Sequence, residues 1–254
     1  VGKKRLDTLV VERGIAETLD SARALVLAGR ILVNGDPAGK PGNLYDEGCA
    51  LELQGRQPYV SRGGVKLAAA IACFGIDPQG MVCADIGCST GGFTDCLLQH
   101  GAARVYSVDV GYGVLDWTLR NDDRVVVLER TNARNLTREQ IAEPVDLAVI
   151  DASFISLALL LPPVRGLFAG NVRIVALVKP QFELPREKVA RGGVVREAHL
   201  HDEALKMVRG YAAEAGLSCA GTARSPIAGA KGNVEFFMYL TAAGQGKNKE
   251  QETE

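Results

Sequence analysis

The chain has 254 residues, with 29 Lys and Arg against 30 Asp and Glu, three His and six Cys. That length suits one large domain plus a small one, and a formal net charge of −1 gives no bulk electrostatic support for a nucleic-acid partner, which must therefore be argued from local arrangement. The cysteines (Cys49, Cys73, Cys83, Cys88, Cys96 and Cys219) form no CxxC pair and read as reduced thiols of a cytoplasmic protein, the histidines His100, His199 and His201 are too scattered for a metal site, and no apolar run is long enough to span a membrane.

From the N-terminus, Lys3, Lys4 and Arg5 lead into an amphipathic segment in place of the apolar core of a signal peptide. Leu6, Leu9 and Val10 have helical spacing, and Gly14 ends that helix. Thr18 to Asp20 supply capping groups for a second helix, Ser21 to Ala28, closed by Gly29. Ile31 and Val33 alternate into Asn34-Gly35, a strong hairpin signal, and Cys49 to Leu53 completes a small sheet. One reading of the cations here is solvated surface charge, in a segment balanced by acids such as Asp7, Glu12, Glu17 and Asp20. Residues 57–64 read as a linker broken by Pro58 and two glycines, with Ser61 placed to cap a helix beginning near Val65. Lys66 falls in that helix's first turn, where a cation opposes the macrodipole unless it has another task.

The large domain starts with an apolar strand, Met81 to Ala84, and a glycine-rich turn through Asp85, Gly87, Gly91 and Gly92 into a helix from Phe93 to Leu98. Such a turn lets the backbone approach a ligand closely. Its D-x-G-x-x-x-G-G spacing is neither the dinucleotide fingerprint nor a Walker phosphate loop. Strands follow at Arg104–Val110, Arg124–Leu128, Asp146–Asp151 and Arg173–Val178, then a helix from His201 to Ala215 and an antiparallel pair, Leu217–Thr222 and Val234–Leu240. The expectation is an α/β, doubly wound sheet with ligands beyond the carboxyl ends of its strands. Asp109, about twenty residues past the glycine loop, sits where a carboxylate accepts ribose hydroxyls, and Asn132 and Ala133 follow the next strand. Asp151 and Lys179 end two apolar strands, and Glu235 interrupts a third, where a carboxylate is costly unless a cation pairs with it. Residues 190–197, ARGGVVRE, read either as a mobile loop that closes over RNA or as a plain connection, and 243–254 as a disordered tail.

Three resemblances give these features a common sense. The glycine loop resembles the S-adenosylmethionine loop of Rossmann-like methyltransferases, which makes Asp85, Gly87, Ser89, Thr90, Gly91, Gly92, Phe93, Asp109, Asn132 and Ala133 candidates for cofactor binding. The order RLDxLVxxG, then SARALVLAGRILVNG, resembles an S-four-type RNA-binding module, which implies that Lys3, Lys4, Arg5, Arg23, Arg30 and Lys40, with Arg62 beyond them, sit on RNA phosphates and supply grip without reading sequence. The set Lys66, Asp151, Lys179 and Glu235 is similar to the tetrad of the FtsJ-like RNA ribose 2′-O-methyltransferases. With SRGGVKL, DIGCSTGGFTD, DASFISL, LVKPQFE and KGNVEFF in order, the chain resembles the TlyA family from about Lys3 to Leu240, enzymes that methylate ribosomal RNA and were once labelled haemolysins.

The resemblance implies an S-four-type domain at 1–56 and a methyltransferase domain at 65–242, the latter a Rossmann-like, mostly parallel sheet with one antiparallel strand. It also implies S-adenosylmethionine as cofactor, ribosomal RNA or a ribosomal subunit as partner, cytidine as target, and neither metal nor membrane insertion. A lysine acts as a base only where a second ammonium or partial burial favours its neutral form. Lys179 is then the expected proton acceptor, with Lys66 beside it orienting the hydroxyl and Asp151 and Glu235 holding the two lysines. Two other readings stand beside this one: a membrane-active haemolysin, and an RNA-binding assembly factor whose methyltransferase fold is silent.

Overall fold

The computed structural model describes residues 2–27, 29–55 and 58–244. Gln57 of the expected linker and residues 245–254 of the expected tail lie outside the described residues. The chain divides into two compact units, Val1–Pro58 and Tyr59–Glu254.

In the first unit, β1 (Lys3–Arg5) leads directly into α1 (Leu6–Glu12), followed by α2 (Leu19–Leu27). The strands β2 (Ile31–Val33), β3 (Asp36–Pro37), β4 (Leu44–Asp46) and β5 (Leu51–Leu53) complete it. They form two sheets: β1 pairs antiparallel with β4, and β2 lies between β3 and β5. Asn34 and Gly35 turn the β2–β3 hairpin with φ of 53° and 86°, the left-handed pair that an Asn-Gly turn requires. Leu6, Leu9, Val10, Ala22, Val26 and Ile31 close the core.

Two features here are not evident from the sequence. The cationic run Lys3–Arg5 is a strand, held by nonlocal pairing with β4 that its own composition does not announce. Asp7 is not a solvated acid. It is fully buried, with its carboxylate taking Arg5 Nη2 at 2.6 Å and Arg23 Nε at 3.2 Å.

The second unit carries a seven-stranded sheet. Its strands are β6 (Val82–Ile86), β7 (Arg104–Val108), β8 (Val125–Leu128), β9 (Leu147–Ile150), β10 (Arg173–Val178), β11 (Leu217–Arg224) and β12 (Phe236–Ala242), in the spatial order β11-β12-β10-β9-β6-β7-β8. Only β12 runs antiparallel to its neighbours, so the sheet is mostly parallel with one antiparallel strand, as the family resemblance implied. Chain order reverses between β6 and β9, and a crevice for ligands opens at that switch point. The helices are α3 (Arg62–Phe74), α4 (Gly92–Gln99), α5 (Trp117–Arg120), α6 (Leu161–Arg165), α7 (Pro180–Glu183) and α8 (Ala198–Glu214). Alternate strand residues feed two cores, with Ala84, Ile86, Ala148 and Ile150 on one face and Cys83, Val105, Leu147 and Val149 on the other.

Helix α3 begins at Arg62, three residues earlier than its apolar pattern suggests. Ser61 caps it by accepting from the Gly63 amide at 3.3 Å. Gly63 and Gly64 are therefore helical and not part of a linker. A side chain at Gly64 would collide with Tyr59, and one at Gly92 with Ser61, so these glycines let the starts of α3 and α4 meet. Lys66 consequently lies one turn in, away from the helix end.

Candidate active site

Asp109, Asp151 and Lys179 each fall one residue past the end of β7, β9 and β10, in the crevice. Two cavities open there, of about 370 Å³ and 680 Å³, and they share Gly87, Ser89, Asp151, Ser153 and Phe154.

The smaller cavity holds all four tetrad side chains. Lys66 Nζ donates to Glu235 Oε2 at 2.6 Å, and Lys179 Nζ meets Asp151 Oδ1 at 2.7 Å. Lys179 also donates to Ser153 Oγ at 2.9 Å and to the Ala152 carbonyl at 3.1 Å, so its three hydrogens are all placed. Glu235 precedes β12 rather than lying within it. Its carboxylate is 3% exposed and the Lys66 side chain 12%, a burial that the ion pair makes tolerable. Asp151, at 24%, keeps access to water.

The larger cavity is bounded by Asp109, Thr131, Asn132, Ala133 and Leu160. Asp109 accepts from the Ser89 amide at 2.8 Å and the Gly111 amide at 2.7 Å, which ties the glycine loop to the segment after β7. Gly87 has φ 84°, and a Cβ there would lie 3.0 Å from the backbone of Asp151 and Ala152, so only glycine lets the two loops close on one another. Thr90, Gly92 and Phe93 line the smaller cavity. Asp85 and Gly91, expected at the cofactor, line neither. Gly91 caps α4 with φ 96° beneath Leu115 and Leu119. Asp85 is fully buried under the loop, takes the Thr94 hydroxyl at 2.7 Å on one oxygen and leaves the other without a partner. Burial pushes its carboxyl up to about 7.

Sequence reasoning missed three residues here. Phe154 is 91% exposed at φ 63°, and its ring lies 5.2 Å from that of Phe182 at the mouth of the smaller cavity. Ser153 serves Lys179 as described. Glu183, buried at the end of α7, takes the Ser156 hydroxyl at 2.6 Å and the Leu157 amide at 3.0 Å, joining the Asp151 loop to the Lys179 loop. The left-handed φ at a non-glycine residue has no signature in the sequence. The acid of LVKPQFE was on view but carried no evident task.

The loop 190–197 is hydrogen-bonded to the segment before β12. Asn233 accepts from the Val195 amide at 2.9 Å and donates to the Gly193 carbonyl at 2.8 Å, while Lys231 donates to Gly192 at 2.9 Å. Of the expected RNA contacts, Lys4 pairs with Glu12, Arg5 and Arg23 with Asp7, and Arg30 bonds the Gln54 carbonyl. Lys3 and Lys40 are exposed without an ion pair among the described residues, and Arg62 lines the tetrad cavity. Cys88 borders that cavity too, but burial raises its thiol, as it does those of Cys83 and Cys96, so these are inert packing groups.

Residues 59–242 match the FtsJ-like methyltransferase family model, and residues 4–48 match the S4 domain. The chain belongs to the TlyA family of FtsJ-like methyltransferases. It is 46% identical over 240 residues to the 16S/23S rRNA (cytidine-2′-O)-methyltransferase TlyA of Mycobacterium tuberculosis, covering 94% of this chain and 90% of that one. It is 38% identical to Hemolysin A of Brachyspira hyodysenteriae, covering 93% and 99%. A solved structure from Streptococcus thermophilus, provisionally named a haemolysin, superposes with a TM-score of 0.76 at 43% identity, covering 97% and 91%. Among the described residues, no helix is long and apolar enough to cross a membrane, and no group of three His, Cys, Asp or Glu is placed to hold a metal.

Methyltransferases of this family take their methyl group from S-adenosylmethionine, and the larger cavity fits that cofactor. The glycine cradle at Gly87 admits a close approach, the Asp109 oxygens retain acceptor capacity for ribose hydroxyls, and Ala133 and Leu160 give an apolar wall for an adenine.

Proposed function

We propose that this chain transfers a methyl group from S-adenosylmethionine to a ribose 2′-hydroxyl of ribosomal RNA, at cytidine, in the cytoplasm. The observation that carries the reading is the assembly of two separate lysine–carboxylate pairs in one cavity that opens onto the cofactor cavity. The cytidine comes from the name of the Mycobacterium tuberculosis relative.

S-adenosylmethionine, when bound, supplies an electrophilic methyl carried on a sulfonium. A ribose hydroxyl becomes a competent nucleophile only when its proton is removed. Lys179 takes that proton at Nζ. It first gives up one of its own to Asp151, the nearest acceptor at 2.7 Å, whose partial exposure lets the proton pass to water. Ser153 and the Ala152 carbonyl keep Nζ aimed during this exchange. Lys66, fixed by Glu235, hydrogen-bonds the ribose and turns the hydroxyl toward the shared wall of the two cavities. Beyond this the residues supply proximity and alignment, which is most of what an in-line displacement needs. Phe154 and Phe182 offer apolar faces on which a base at the mouth can stack.

The test is transfer of labelled methyl from S-adenosylmethionine to ribosomal RNA lacking the modification, presented as free RNA and as each subunit. Label in a ribose 2′-O position, lost in Lys179→Ala, is the expected result. An inert wild-type protein on all of these substrates would refute the reading.

A further inference from the structure

A third cavity, of about 460 Å³, lies inside the hairpin loop between β11 and β12, lined by Arg224, Ser225, Pro226, Ala228, Gly232 and Glu235. It shares Ala228 and Glu235 with the tetrad cavity, so the two are neighbours across the Glu235 side chain. The loop is held in shape. Ser225 donates its amide to the Glu235 carbonyl at 2.9 Å, Gly229 donates to Asn233 at 2.8 Å, and a side chain at Gly229 would collide with the Glu235 carboxylate.

Cations outnumber acids in this region, where Arg191, Arg196, Arg224 and Lys231 stand beside Glu197 and Glu235. Residues 224–234 contain Arg224 and Lys231 and no acid, and 190–196 contain Arg191 and Arg196 and no acid. The Lys231 bond to Gly192 brings the two segments together. Arg191 and Arg224 are exposed and form no ion pair among the described residues. Glu235 does not cancel this field, because Lys66 neutralises it at 2.6 Å. The Ser225 hydroxyl is committed to the Ile227 carbonyl. Among the described residues lining this cavity, Arg224 is the cation, and it has no ion pair; the cavity adjoins the proposed ribose site. A guanidinium in such a place suits a phosphodiester, which it binds bidentately and without regard to base.

We propose that the third cavity binds the phosphodiester of the nucleotide next to the one whose ribose enters the tetrad cavity, with Arg224 as its ligand and the 190–196 segment as its basic rim. This rests on the RNA methyltransferase reading above. The site fixes the register of the strand, so that one ribose stands before Lys179.

The experiment measures kcat and KM for methylation of unmodified ribosomal RNA by wild type, Arg224→Ala and Arg224→Lys across a series of salt concentrations. Melting temperatures confirm that the exposed substitutions leave the fold intact. For Arg224→Ala, KM rises about fivefold to tenfold at low salt, kcat at saturation is kept, and the slope of log(kcat/KM) against log salt becomes shallower by about one phosphate's worth, ~0.7 to 1. Arg224→Lys recovers the salt slope and part of the KM. Wild-type KM and slope in Arg224→Ala overturn the inference, as does a loss confined to kcat, which would mean that the loop acts only through Glu235. Failure of the wild type to methylate any RNA refutes instead the reading on which the inference rests.

Discussion

The pair Lys66–Glu235 separates a catalytic tetrad from an ion pair that merely holds the fold. Glu235→Gln preserves shape while leaving the Lys66 ammonium, 12% exposed, without a counter-charge. Breaking a buried pair from one side costs about 3–5 kcal/mol, and because Glu235 borders two cavities that can admit water, about 3 kcal/mol is expected. Lys66→Met alone strands the carboxylate and costs about the same. The double variant, Lys66→Met with Glu235→Gln, removes both charges and loses only the about 1–2 kcal/mol of an underused buried amide. The singles and the double therefore differ by a coupling of about 4 kcal/mol. Calorimetry is the suitable assay, since two compact units can melt separately and a single-transition analysis would mix them. Methyl transfer, measured on the same preparations, behaves otherwise. Each single loses at least about a hundredfold, the ordinary scale for a group that positions or activates a nucleophile, and the double stays as low as either. If activity instead returned with stability in the double variant, the pair would be structural and the role given to Lys66 wrong.

Asp109→Asn keeps one acceptor for the Ser89 or Gly111 amide and turns an N–H toward the other. S-adenosylmethionine affinity by titration calorimetry falls about tenfold or more while the melting temperature moves little. Two acids give pH dependences of opposite sign. In the first unit, hydrogen bonds from Arg5 hold the Asp7 carboxyl down at about 2 against 3.8. Its stabilisation, about 1–2 kcal/mol once solvent screening of the half-exposed arginines is allowed for, is present above pH 3.8 and lost as pH falls toward 2. Asp7→Asn forfeits it at neutral pH and flattens the acid limb of the stability curve. In the second unit, burial lifts Asp85 from 3.8 to about 7. The protonated fold is favoured there, so stability declines as pH rises through that window, by at most about 4 kcal/mol at ~1.4 per unit. Asp85→Asn removes the decline, and urea unfolding at pH 5 and pH 8 reads it. A wild-type curve that is flat between those values would refute the account.

Much of the second unit was legible because its strands are buried on both faces and read as short apolar runs ending in polar residues, from AVID to ALVK. The rule that ligands sit beyond strand ends then placed Asp109, Asp151 and Lys179 without further help. Phe154 was invisible because its role depends on a left-handed backbone and an exposed ring, and neither has a pattern. The glycines of SRGGVKL misled because glycine serves two opposite ends: it breaks a chain into linkers, and it lets helices touch. Only the packing of Tyr59 on Gly64 decides between them. Asp7 misled for a similar reason. An acid among cations reads as balanced surface charge until tertiary structure folds Arg5 and Arg23 over it.

The charge arrangement bears on how the proposed site can hold RNA while the chain carries a net charge of −1. The tetrad is two cations and two anions in two close pairs, neutral as a set. Beside it, Asp109 places a further carboxylate in the larger cavity. The chemical centre therefore exerts little attraction on phosphate at a distance, since paired charges cancel within a few ångströms and salt screens the rest over about 8–10 Å. Long-range grip must come from cations that lack internal partners. In the first unit, four of the six candidate cations are engaged with Asp7, Glu12 or the Gln54 carbonyl, which leaves Lys3 and Lys40 unpaired among the described residues. In the second unit the unpaired cations include Arg62 at the tetrad cavity and Arg224 in the cavity beside it. On the proposed reading grip and chemistry are carried by different residues, so that weakening the first at Arg224 leaves the second at Lys179 intact.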